Sequence, residues 1–375
     1  FGVFGALPFW FSGFFNSYVD CVFEAISGVT TTGASILAAV EVLPKSILFW
    51  RSFTHWLGGM GVLILTIALL PSLGVRSTLL VRAETPGPVV SKLVPKASES
   101  SKILYAIYFA LTVFQVLCLR LTGMPMFDCV VNSFATAGTG GFSVRNLSIG
   151  AYGSPWGEII ITVFMLLFSL NFAVYYLFLR GKFKQAVQSD ELKFFVAVVF
   201  FSTLFISFDI RKLYSGFGEA LRNAAFQVAS IISTTGFSSV DFDIWPEFSR
   251  TILVLLMFCG ACAGSTGGAM KCSRILVVFR YIGRELKQIS HPRSVNLVRL
   301  DGHVVEEDNL KSIMAFFGAY IFITLGATLL VSLDNFSFGT SFTAVVACIG
   351  NVGPGLELVG PMGNYSMFSP INKLI

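Results

Sequence analysis

The sequence predicts an all-α, polytopic membrane protein built from four tandem helix–loop–helix units. Hydrophobic residues make up 54% of the 375 residues and charged residues only 13%, whereas a soluble domain carries about 25% charged residues. Most of the long apolar runs approach the roughly 20 residues that a helix needs to cross a bilayer. They lie near residues 47–70, 103–119, 156–179, 194–208, 251–279 and 313–333. A short polar segment that contains a glycine also recurs four times along the chain.

These four polar segments carry the strongest functional signal. Aligned on their glycines, they are separated by 108, 95 and 117 residues. Four stretches of backbone carbonyls around one axis form a cation filter, and glycine allows backbone angles that are closed to other residues. The sequence therefore predicts a single ion pore with pseudo-fourfold symmetry. The predicted filter residues are Thr31, Thr32 and Gly33, then Thr139, Gly140 and Gly141, then Thr234, Thr235 and Gly236, and finally Asn351, Val352 and Gly353.

A second feature keeps the same register as the glycines. Thirteen residues before each glycine stands Asp20, Asp128, Asn223 or Thr340, all residue types that cap helix N-termini, although such residues are common at any helix start. We expect a pore helix to begin at each of them and to end just before the glycine. The negative end of its dipole would then favour a cation at the pore axis.

The units follow one another along the chain. The first pore unit covers residues 1–70 with a truncated outer helix, and a cytoplasmic connection covers 71–102. The second unit covers 103–180, followed by a connection at 181–192. The third unit covers 193–280, although its first span is expected to begin near Glu191. A cytoplasmic hairpin follows at 281–311, with a tight turn predicted at Asp301-Gly302 that protrudes from the cytoplasmic face. The fourth unit covers 312–375 and is expected to lack its inner helix.

Charge sets the orientation of these units. Of the 26 Lys and Arg residues, 17 lie in and immediately beside the three connections between units, at residues 76–102, 180–193 and 271–311, which the positive-inside rule places in the cytoplasm. The four polar segments then face outward, followed closely by Asp241, Asp243 and Glu357. These carboxylates either raise the cation concentration at the outer mouth or form an ordinary solvated surface. The net charge of +5 is thus a signal of topology and not of nucleic-acid binding.

A glycine-rich stretch interrupts the apolar run of the third unit at residues 260–268. Each interior glycine costs a helix about 1 kcal/mol relative to alanine, so we predict an unwound segment near mid-membrane, just below the filter. Close helix packing through small residues is the alternative. A shorter break is predicted at residues 58–61 of the first unit, and none in the second unit, where Met165–Phe168 carries no glycine. Lys271 is either a cytoplasmic anchor or a charge that repels cations.

At this point the sequence resembles a known family, the membrane subunit of the Trk/Ktr/HKT potassium transporters, and most closely the bacterial TrkH type. The resemblance covers essentially the whole chain and rests on six motifs in order. They are Gly28-Val29-Thr30-Thr31-Thr32-Gly33-Ala34, Trp56-Leu57-Gly58-Gly59-Met60-Gly61, Gly138-Thr139-Gly140-Gly141-Phe142-Ser143, Ser233-Thr234-Thr235-Gly236-Phe237, Ala263-Gly264-Ser265-Thr266-Gly267-Gly268 and Gly350-Asn351-Val352-Gly353-Pro354-Gly355.

The resemblance implies a specific function. It implies potassium uptake across the bacterial inner membrane, with K⁺ as the transported ion, no organic cofactor and no enzymatic activity. It also implies a homodimer and a cytosolic TrkA-type nucleotide-binding (NAD or ATP) regulatory subunit. The implied intramembrane gate consists of Gly264, Ser265, Thr266, Gly267, Gly268 and Lys271. The family also places a basic residue near this gate in the last inner helix, which this sequence does not contain.

The residues after the filter glycines differ, being Ala34, Phe142, Phe237 and Pro354. Four unlike, short strands should form fewer ordered carbonyl rings than four identical ones. We therefore expect one dehydrated site, a modest preference for K⁺ over Na⁺, and tolerance of Rb⁺.

Two other functions compete with a simple pore. A Na⁺- or H⁺-coupled potassium symporter remains possible, although no pair of acidic residues is visible within the spans. The sequence Gly264-Ser265-Thr266-Gly267 is also similar to that of an intramembrane serine protease, but that enzyme needs a histidine base near the serine. His55 is expected at the outer membrane interface, in packing and not in proton relay, and His291 and His303 are expected in the cytoplasm. The seven cysteines are expected to serve as small apolar residues.

Overall fold

The computed structural model describes residues 2–61, 97–292 and 296–375. The predicted all-α class is confirmed, since the only strands in this part of the chain are two strands of two residues each, which form one hairpin. Part of the first inner helix and most of the first cytoplasmic connection lie outside the described residues, as do Arg293 and its two following neighbours.

The helices follow in this order: α1 Gly2–Gly5, α2 Leu7–Ser12, α3 Tyr18–Val29, α4 Lys45–Gly59, α5 Ala97–Leu121, α6 Met126–Ala137, α7 Pro155–Phe168, α8 Phe172–Leu179, α9 Phe183–Val187, α10 Asp190–Asp209, α11 Phe217–Ile232, α12 Glu247–Cys259, α13 Cys272–Ser290, α14 Glu307–Val331, α15 Phe338–Ile349 and α16 Pro370–Leu374. The strands are β1 Arg299–Leu300 and β2 His303–Val304. Short 3₁₀ helices lie at Ser148–Tyr152, Ile210–Lys212, Phe242–Ile244, Ser332–Asp334 and Glu357–Val359.

Within the described residues, three helical stretches are long and apolar enough to cross a membrane: Ser101–Leu121, Asp190–Lys212 and Glu307–Asp334. Each buries only 22% of its most apolar window inside the protein, which leaves most of that surface for lipid. The second of these begins at Asp190, so the expectation of a start near Glu191 is confirmed.

The second unit contains a break that the sequence analysis did not predict. Helices α7 and α8 meet at an angle of 90° around the three residues Ser169–Asn171. Asn171 caps α8 by accepting the N–H of Ala173 at 2.9 Å. The prediction of an uninterrupted span was wrong because it was based on the absence of glycine. The polar residues Ser169 and Asn171 lie where α7 ends and α8 begins.

The predicted hairpin at Asp301-Gly302 is confirmed. Both residues have positive φ, 51° and 80°, as a two-residue turn between antiparallel strands requires. The hairpin does not simply protrude, because Asp190 and Asp301 exchange backbone-to-carboxylate hydrogen bonds at 2.6 and 3.0 Å. Apolar residues of the hairpin and of α13 and α14 also form a common cluster, which includes Val277, Leu300 and Leu310.

Candidate functional site: four glycine turns and a glycine-rich loop

The helices α3, α6, α11 and α15 end in the same backbone motif. The N–H groups of Thr32, Gly140, Thr235 and Val352 each donate to the carbonyl five residues earlier, at 2.8 to 2.9 Å. The residue before each of these donors also bonds a carbonyl three residues back. Together these bonds define a Schellman motif. We call the residues that follow turn 1 (31–34), turn 2 (139–142), turn 3 (234–237) and turn 4 (351–354).

Each turn holds two residues in the left-handed region. The first is Thr31, Thr139, Thr234 or Asn351, with φ between 54° and 62°, and the second is the predicted filter glycine, with φ between 77° and 93°. Left-handed backbone is unusual for a β-branched residue. Strain of this kind persists only where the surroundings enforce it, and it clusters at functional sites. The same conformation recurs at one position in all four turns, and three of these four residues are threonines, which favours a common role for the turns.

The four glycines bring the turns together in a closed cycle. A methyl group added to Gly33 would lie 1.9 Å from the carbonyl oxygen of Gly140 in turn 2. The same contact joins Gly141 to Thr235 of turn 3 at 2.0 Å, and Gly236 to Val352 of turn 4 at 2.1 Å. A methyl group on Gly353 would lie 2.8 Å from the carbonyl oxygen of Thr32 in turn 1. Space as well as backbone angle therefore demands glycine at these positions.

The predicted helix starts were wrong, although the predicted helix ends are confirmed. Ser17 caps α3 by accepting the N–H of Asp20 at 3.1 Å, and Ser337 caps α15 by accepting the N–H of Thr340 at 3.1 Å. Asp128 likewise lies inside the first turn of its helix, and Asn223 lies further inside α11. What these four residues share is burial, since their exposed fractions are 8% or less.

A buried ion pair supports turns 1 and 2 from behind. Arg51 of α4 pairs with Glu24 of α3 at 2.8 Å, and their side chains are 2% and 0% exposed. The Glu24 carboxylate also accepts the hydroxyl of Ser35 and the N–H of Ile36. The Arg51 guanidinium donates to the carbonyl of Ser143 at 3.4 Å and lies 4.1 Å from the ring centre of Phe142. The pair thus links α3 to the chain that leaves turn 2.

His55 links the same two turns. Its Nδ1 lies 2.8 Å from the carbonyl oxygen of Gly28, which can only accept, so Nδ1 carries the proton. Its Nε2 then accepts the N–H of Phe142 at 3.4 Å. His55 is fully buried, so it faces neither lipid nor water. Both nitrogens are committed to backbone groups, which agrees with the expected packing role.

The sequence analysis overlooked Glu24 and Arg51. The signal that would have revealed Arg51 is its position inside the apolar run 47–70, since a charge within a membrane-spanning segment is costly and rarely lacks a function. Its partner lies 27 residues away on another helix, and a single sequence does not show that pairing.

Turn 4 differs from the others in its bonding. The hydroxyl of Tyr365 donates to the carbonyl of Gly353 at 2.7 Å, and the hydroxyl of Thr32 donates to Asn351 at 2.8 Å. In turns 1 and 3, by contrast, Ser27 and Ser230 donate to the carbonyl after the glycine, each at 2.6 Å. The carbonyl oxygens of the four turns are therefore not equivalent.

The predicted interruption of the third unit is present. Helix α12 ends at Cys259 and α13 begins at Cys272, and we call residues 260–271 between them the glycine-rich loop. Gly260, Gly264, Ala269 and Lys271 have φ between 57° and 73°, which excludes a continuous helix. In the first unit, α4 ends at Gly59 and Gly61 has a φ of 74°, so the helix ends within the predicted break at residues 58–61. Tight packing also applies there, because methyl groups on Gly58 and Gly59 would lie 2.1 and 2.5 Å from Val29 and Gly138.

The glycine-rich loop contacts turns 3 and 4 directly. The N–H of Gly268 donates to the hydroxyl of Thr234 at 2.7 Å, and a methyl group on Gly268 would lie 2.7 Å from the Cβ of Asn351. A methyl group on Gly267 would lie 2.8 Å from the carbonyl oxygen of Ser233. The loop therefore lies against the C-terminal ends of two of the four helices.

Further hydrogen bonds fasten this loop. Cys262 donates its N–H to the carbonyl of Ser169 in the α7–α8 break at 3.0 Å, and Phe172 donates to the carbonyl of Gly264 at 3.0 Å. Glu191 accepts the N–H groups of Ala263 and Ser273 at 2.6 and 3.0 Å. The unpredicted break in the second unit is thus the groove that receives the loop of the third.

Lys271 is not a solvated cytoplasmic anchor, which was one of the two alternatives that the sequence left open. Its side chain is only 4% exposed, and its ammonium group donates to the carbonyl of Gly267 within the same loop. Ser265 likewise bonds within the loop, to the carbonyl of Cys262 at 2.5 Å. Since His55 is bonded elsewhere, the described residues give Ser265 no histidine base.

The three outer carboxylates have structural partners. Glu357 accepts the N–H and hydroxyl of Thr340 at 3.0 and 2.8 Å, and the hydroxyl of Ser337 holds the pKa of Glu357 below its usual range. Asp243 pairs with Arg250 at 2.9 Å, and Asp241 accepts the N–H of Asp243. These bonds favour a structural role at the start of α15 and in the adjoining loop over the role of a free surface that attracts cations.

The cysteines are all free, as expected of small apolar residues. In the described part of the chain, no cluster of three or more His, Cys, Asp or Glu side chains is suited to a metal ion.

Comparison with known proteins places these features in context. The family model TrkH, described as a cation transport protein, matches residues 2–210 and 195–375. The Trk system potassium uptake protein TrkH of Escherichia coli (strain K12) is 39% identical over 384 residues, covering 100% of this chain and 78% of the relative. Trk system potassium uptake protein TrkG of the same strain is 34% identical over 360 residues, covering 95% and 74%. The crystal structure of the potassium transporter TrkH from Vibrio parahaemolyticus aligns with a TM-score of 0.87 at 32% identity, covering 100% of this chain and 77% of that one.

Proposed function

The chain belongs to the TrkH family of cation transport proteins, and from this premise we propose that it takes up potassium ions through a selective pore. It is a membrane protein and not an enzyme. The names of its relatives, potassium uptake proteins and a potassium transporter, support K⁺ as the transported ion. The pore would be formed by four tandem units with pseudo-fourfold symmetry, bounded as the sequence predicts.

The closed cycle of the four glycine turns is the observation that carries this proposal. Each filter glycine lies against a carbonyl of the next turn, and the last lies against the first. Such a cycle surrounds an axis, and carbonyl oxygens around an axis can replace the hydration shell of a cation. The twelve predicted filter residues would supply these oxygens.

The unequal bonding of the turns supports a modest selectivity. Tyr365 engages the Gly353 carbonyl of turn 4, whereas serines engage the next carbonyl in turns 1 and 3. Oxygens with different partners do not form several identical rings. One dehydrated site, a real but modest preference for K⁺ over Na⁺, and passage of Rb⁺ follow from this arrangement.

The glycine-rich loop is the proposed gate of the pore. Gly267 and Gly268 lie against turns 3 and 4, and Lys271 brings a buried ammonium group to the same loop. Four residues of this loop have left-handed backbone, so the loop is not helical and can move without breaking a helix. We assign Gly264, Ser265, Thr266, Gly267, Gly268 and Lys271 to this gate.

The proposed assembly follows the family resemblance. The chain would form a homodimer in the bacterial inner membrane and bind a cytosolic TrkA-type nucleotide-binding subunit. The hairpin Arg299–Val304 and the basic helix α13 lie in the segment where the charge pattern predicts the cytoplasmic face, and they are the proposed docking region for that subunit.

Uptake of ⁸⁶Rb⁺ into proteoliposomes that contain the full-length protein tests this function. We expect K⁺ to compete better than Na⁺, and Gly236→Ser to lose this preference because its side chain would meet Val352. Gly218→Ala is the matched control, since a methyl group there meets nothing within 4 Å. Equal competition by Na⁺ and K⁺ would contradict a potassium filter, and uptake that requires a Na⁺ or H⁺ gradient would favour the coupled symporter.

A further inference from the structure

One carboxylate oxygen ties the two ends of the glycine-rich loop together. Oε1 of Glu191 accepts the N–H of Ala263 at 2.6 Å and the N–H of Ser273 at 3.0 Å. Ala263 precedes the proposed gate residues and Ser273 follows them, in the first turn of α13. Glu191 itself belongs to α10, a different helix from those that the loop connects.

The surroundings make this contact strong. Glu191 is only 7% exposed, and a buried carboxylate is stable only where hydrogen bonds or charges satisfy it. Bonds from N–H groups to a carboxylate are stronger than bonds between neutral groups. The Lys271 ammonium also interacts electrostatically with this carboxylate, so the loop supplies hydrogen-bond donors and a cation that offset the cost of burying Glu191.

Glu191 also caps the N-terminus of α13, which has no capping side chain of its own. The N-cap position of α13 is Lys271, whose side chain makes no capping bond. The exposed N–H groups of a helix N-terminus favour a negative charge, and Glu191 provides it from α10. If the loop moved away, this N-terminus and the carboxylate would both lose their partners.

We propose that Glu191 is a positioning residue that holds the glycine-rich loop against turns 3 and 4. This inference rests on the proposed role of that loop as the gate. The loop also bonds Ser169, Phe172 and Thr234, and its Thr266 hydroxyl donates to the carbonyl of Phe168. All of these bonds join neutral groups. Removal of the Glu191 carboxylate therefore shifts the loop toward an undocked conformation, and ion flow through the unregulated protein rises.

The test is ⁸⁶Rb⁺ uptake by the full-length protein without its regulatory subunit. Glu191→Ala should raise the maximal rate about tenfold, which corresponds to about 1.4 kcal/mol, with the competition ratio of K⁺ to Na⁺ unchanged. Glu191→Gln keeps an oxygen that can accept both N–H groups but loses the negative charge, so it should raise the rate less than Glu191→Ala does. Ser273→Pro removes one donor without altering Glu191, at a helix position that tolerates proline, and should also raise the rate.

The matched control is Asp190→Asn. Asp190 is the neighbouring carboxylate on the same helix, but it bonds Arg280 and the hairpin and not the loop, so its rate should not rise. A higher rate distinguishes a residue that holds the loop in place from a merely structural residue, whose replacement would only lower the rate. An unchanged or lower rate in Glu191→Ala, measured on a folded and monodisperse sample, would overturn the proposal that Glu191 holds the loop in place. Absence of Rb⁺ uptake by the wild-type protein would instead refute the proposed function itself.

Discussion

Arg51 and Glu24 form an ion pair 2.8 Å long that is almost completely removed from solvent, behind the first two glycine turns. Burying two charges is costly, and the attraction between them offsets that cost only with good geometry and additional hydrogen bonds. Both conditions hold here, since Ser35, Ile36 and Ser143 complete the bonding. The pair thus fixes the position of the turns and need not add net stability.

We predict that Arg51→Met destabilises the protein strongly, because it leaves Glu24 buried without its cation. Breaking a buried pair costs about 3–5 kcal/mol, whereas replacing both partners is often nearly neutral. The double variant Glu24→Gln/Arg51→Met should therefore melt at a higher temperature than the single variant. Thermal unfolding in detergent and the ratio of K⁺ to Na⁺ competition measure both effects.

The control for this prediction is the pair of Arg145 and Glu41, whose side chains are 45% exposed and 4.0 Å apart. Exposed pairs contribute at most about 1 kcal/mol, so Glu41→Gln should change the melting temperature little. Equal losses in Glu41→Gln and Arg51→Met would contradict the role assigned to the buried pair.

We predict that Thr234→Val raises unregulated ion flow. The hydroxyl of Thr234 accepts the N–H of Gly268 in the glycine-rich loop at 2.7 Å, and a net loss of about 1 kcal/mol is typical for one such bond. That loss corresponds to roughly a fivefold change in a conformational equilibrium. Rb⁺ uptake without the regulatory subunit is the measurement.

Thr31→Val serves as its matched control. Thr31 has the same left-handed backbone, but its hydroxyl bonds only the neighbouring carbonyl of Thr30. The two variants share the change of side chain and differ in contact with the loop. The same rise in both would show that strain in the turns, and not the loop contact, controls the flow.

We predict that Tyr365→Phe changes the ion preference of the site. The variant removes the hydroxyl that donates to the carbonyl of Gly353 at 2.7 Å, so turn 4 loses its restraint and about 1 kcal/mol of stability. Tyr320→Phe is the control, because the buried hydroxyl of Tyr320 has no hydrogen-bond partner in the described part of the chain. Competition assays with K⁺, Rb⁺ and Na⁺ should separate the two variants, and identical ratios would count against Tyr365.

We predict a pH-dependent contribution from Glu357 to the stability of the protein. Its pKa lies below the ordinary value of 4.5 because of the bond from Ser337. A carboxyl group with a lowered folded-state pKa stabilises the protein above its ordinary pKa, and this contribution disappears as the pH falls through the folded-state value. The difference in melting temperature between the wild type and Glu357→Gln should therefore be largest near neutral pH and shrink on acidification. A difference that stays constant down to pH 3 would contradict this assignment.

The sequence predicted those features that depend on local backbone chemistry. Glycine spacing located the turns, helix α10 begins within one residue of the expected position, and Asp301-Gly302 identified the hairpin. In each case the residue itself restricts the backbone, so that its identity is enough.

Features that depend on distant partners were not predictable in this way. The helix starts were misplaced because serine, proline and glycine several residues upstream begin the helices. The break between α7 and α8 becomes understandable only with the loop of the third unit in place. Arg51, Glu24 and Glu191 act through partners on other helices, and Glu191 reaches residues 72 and 82 positions away.

The closed cycle of turns also has a consequence for biosynthesis. Its last link joins Thr32 to Asn351, 319 residues further along the chain, so the ring is complete only after the fourth turn has been made and inserted. A nascent chain that carries one, two or three turns therefore lacks the closed cycle, and the proposed filter is completed only in the last stage of synthesis.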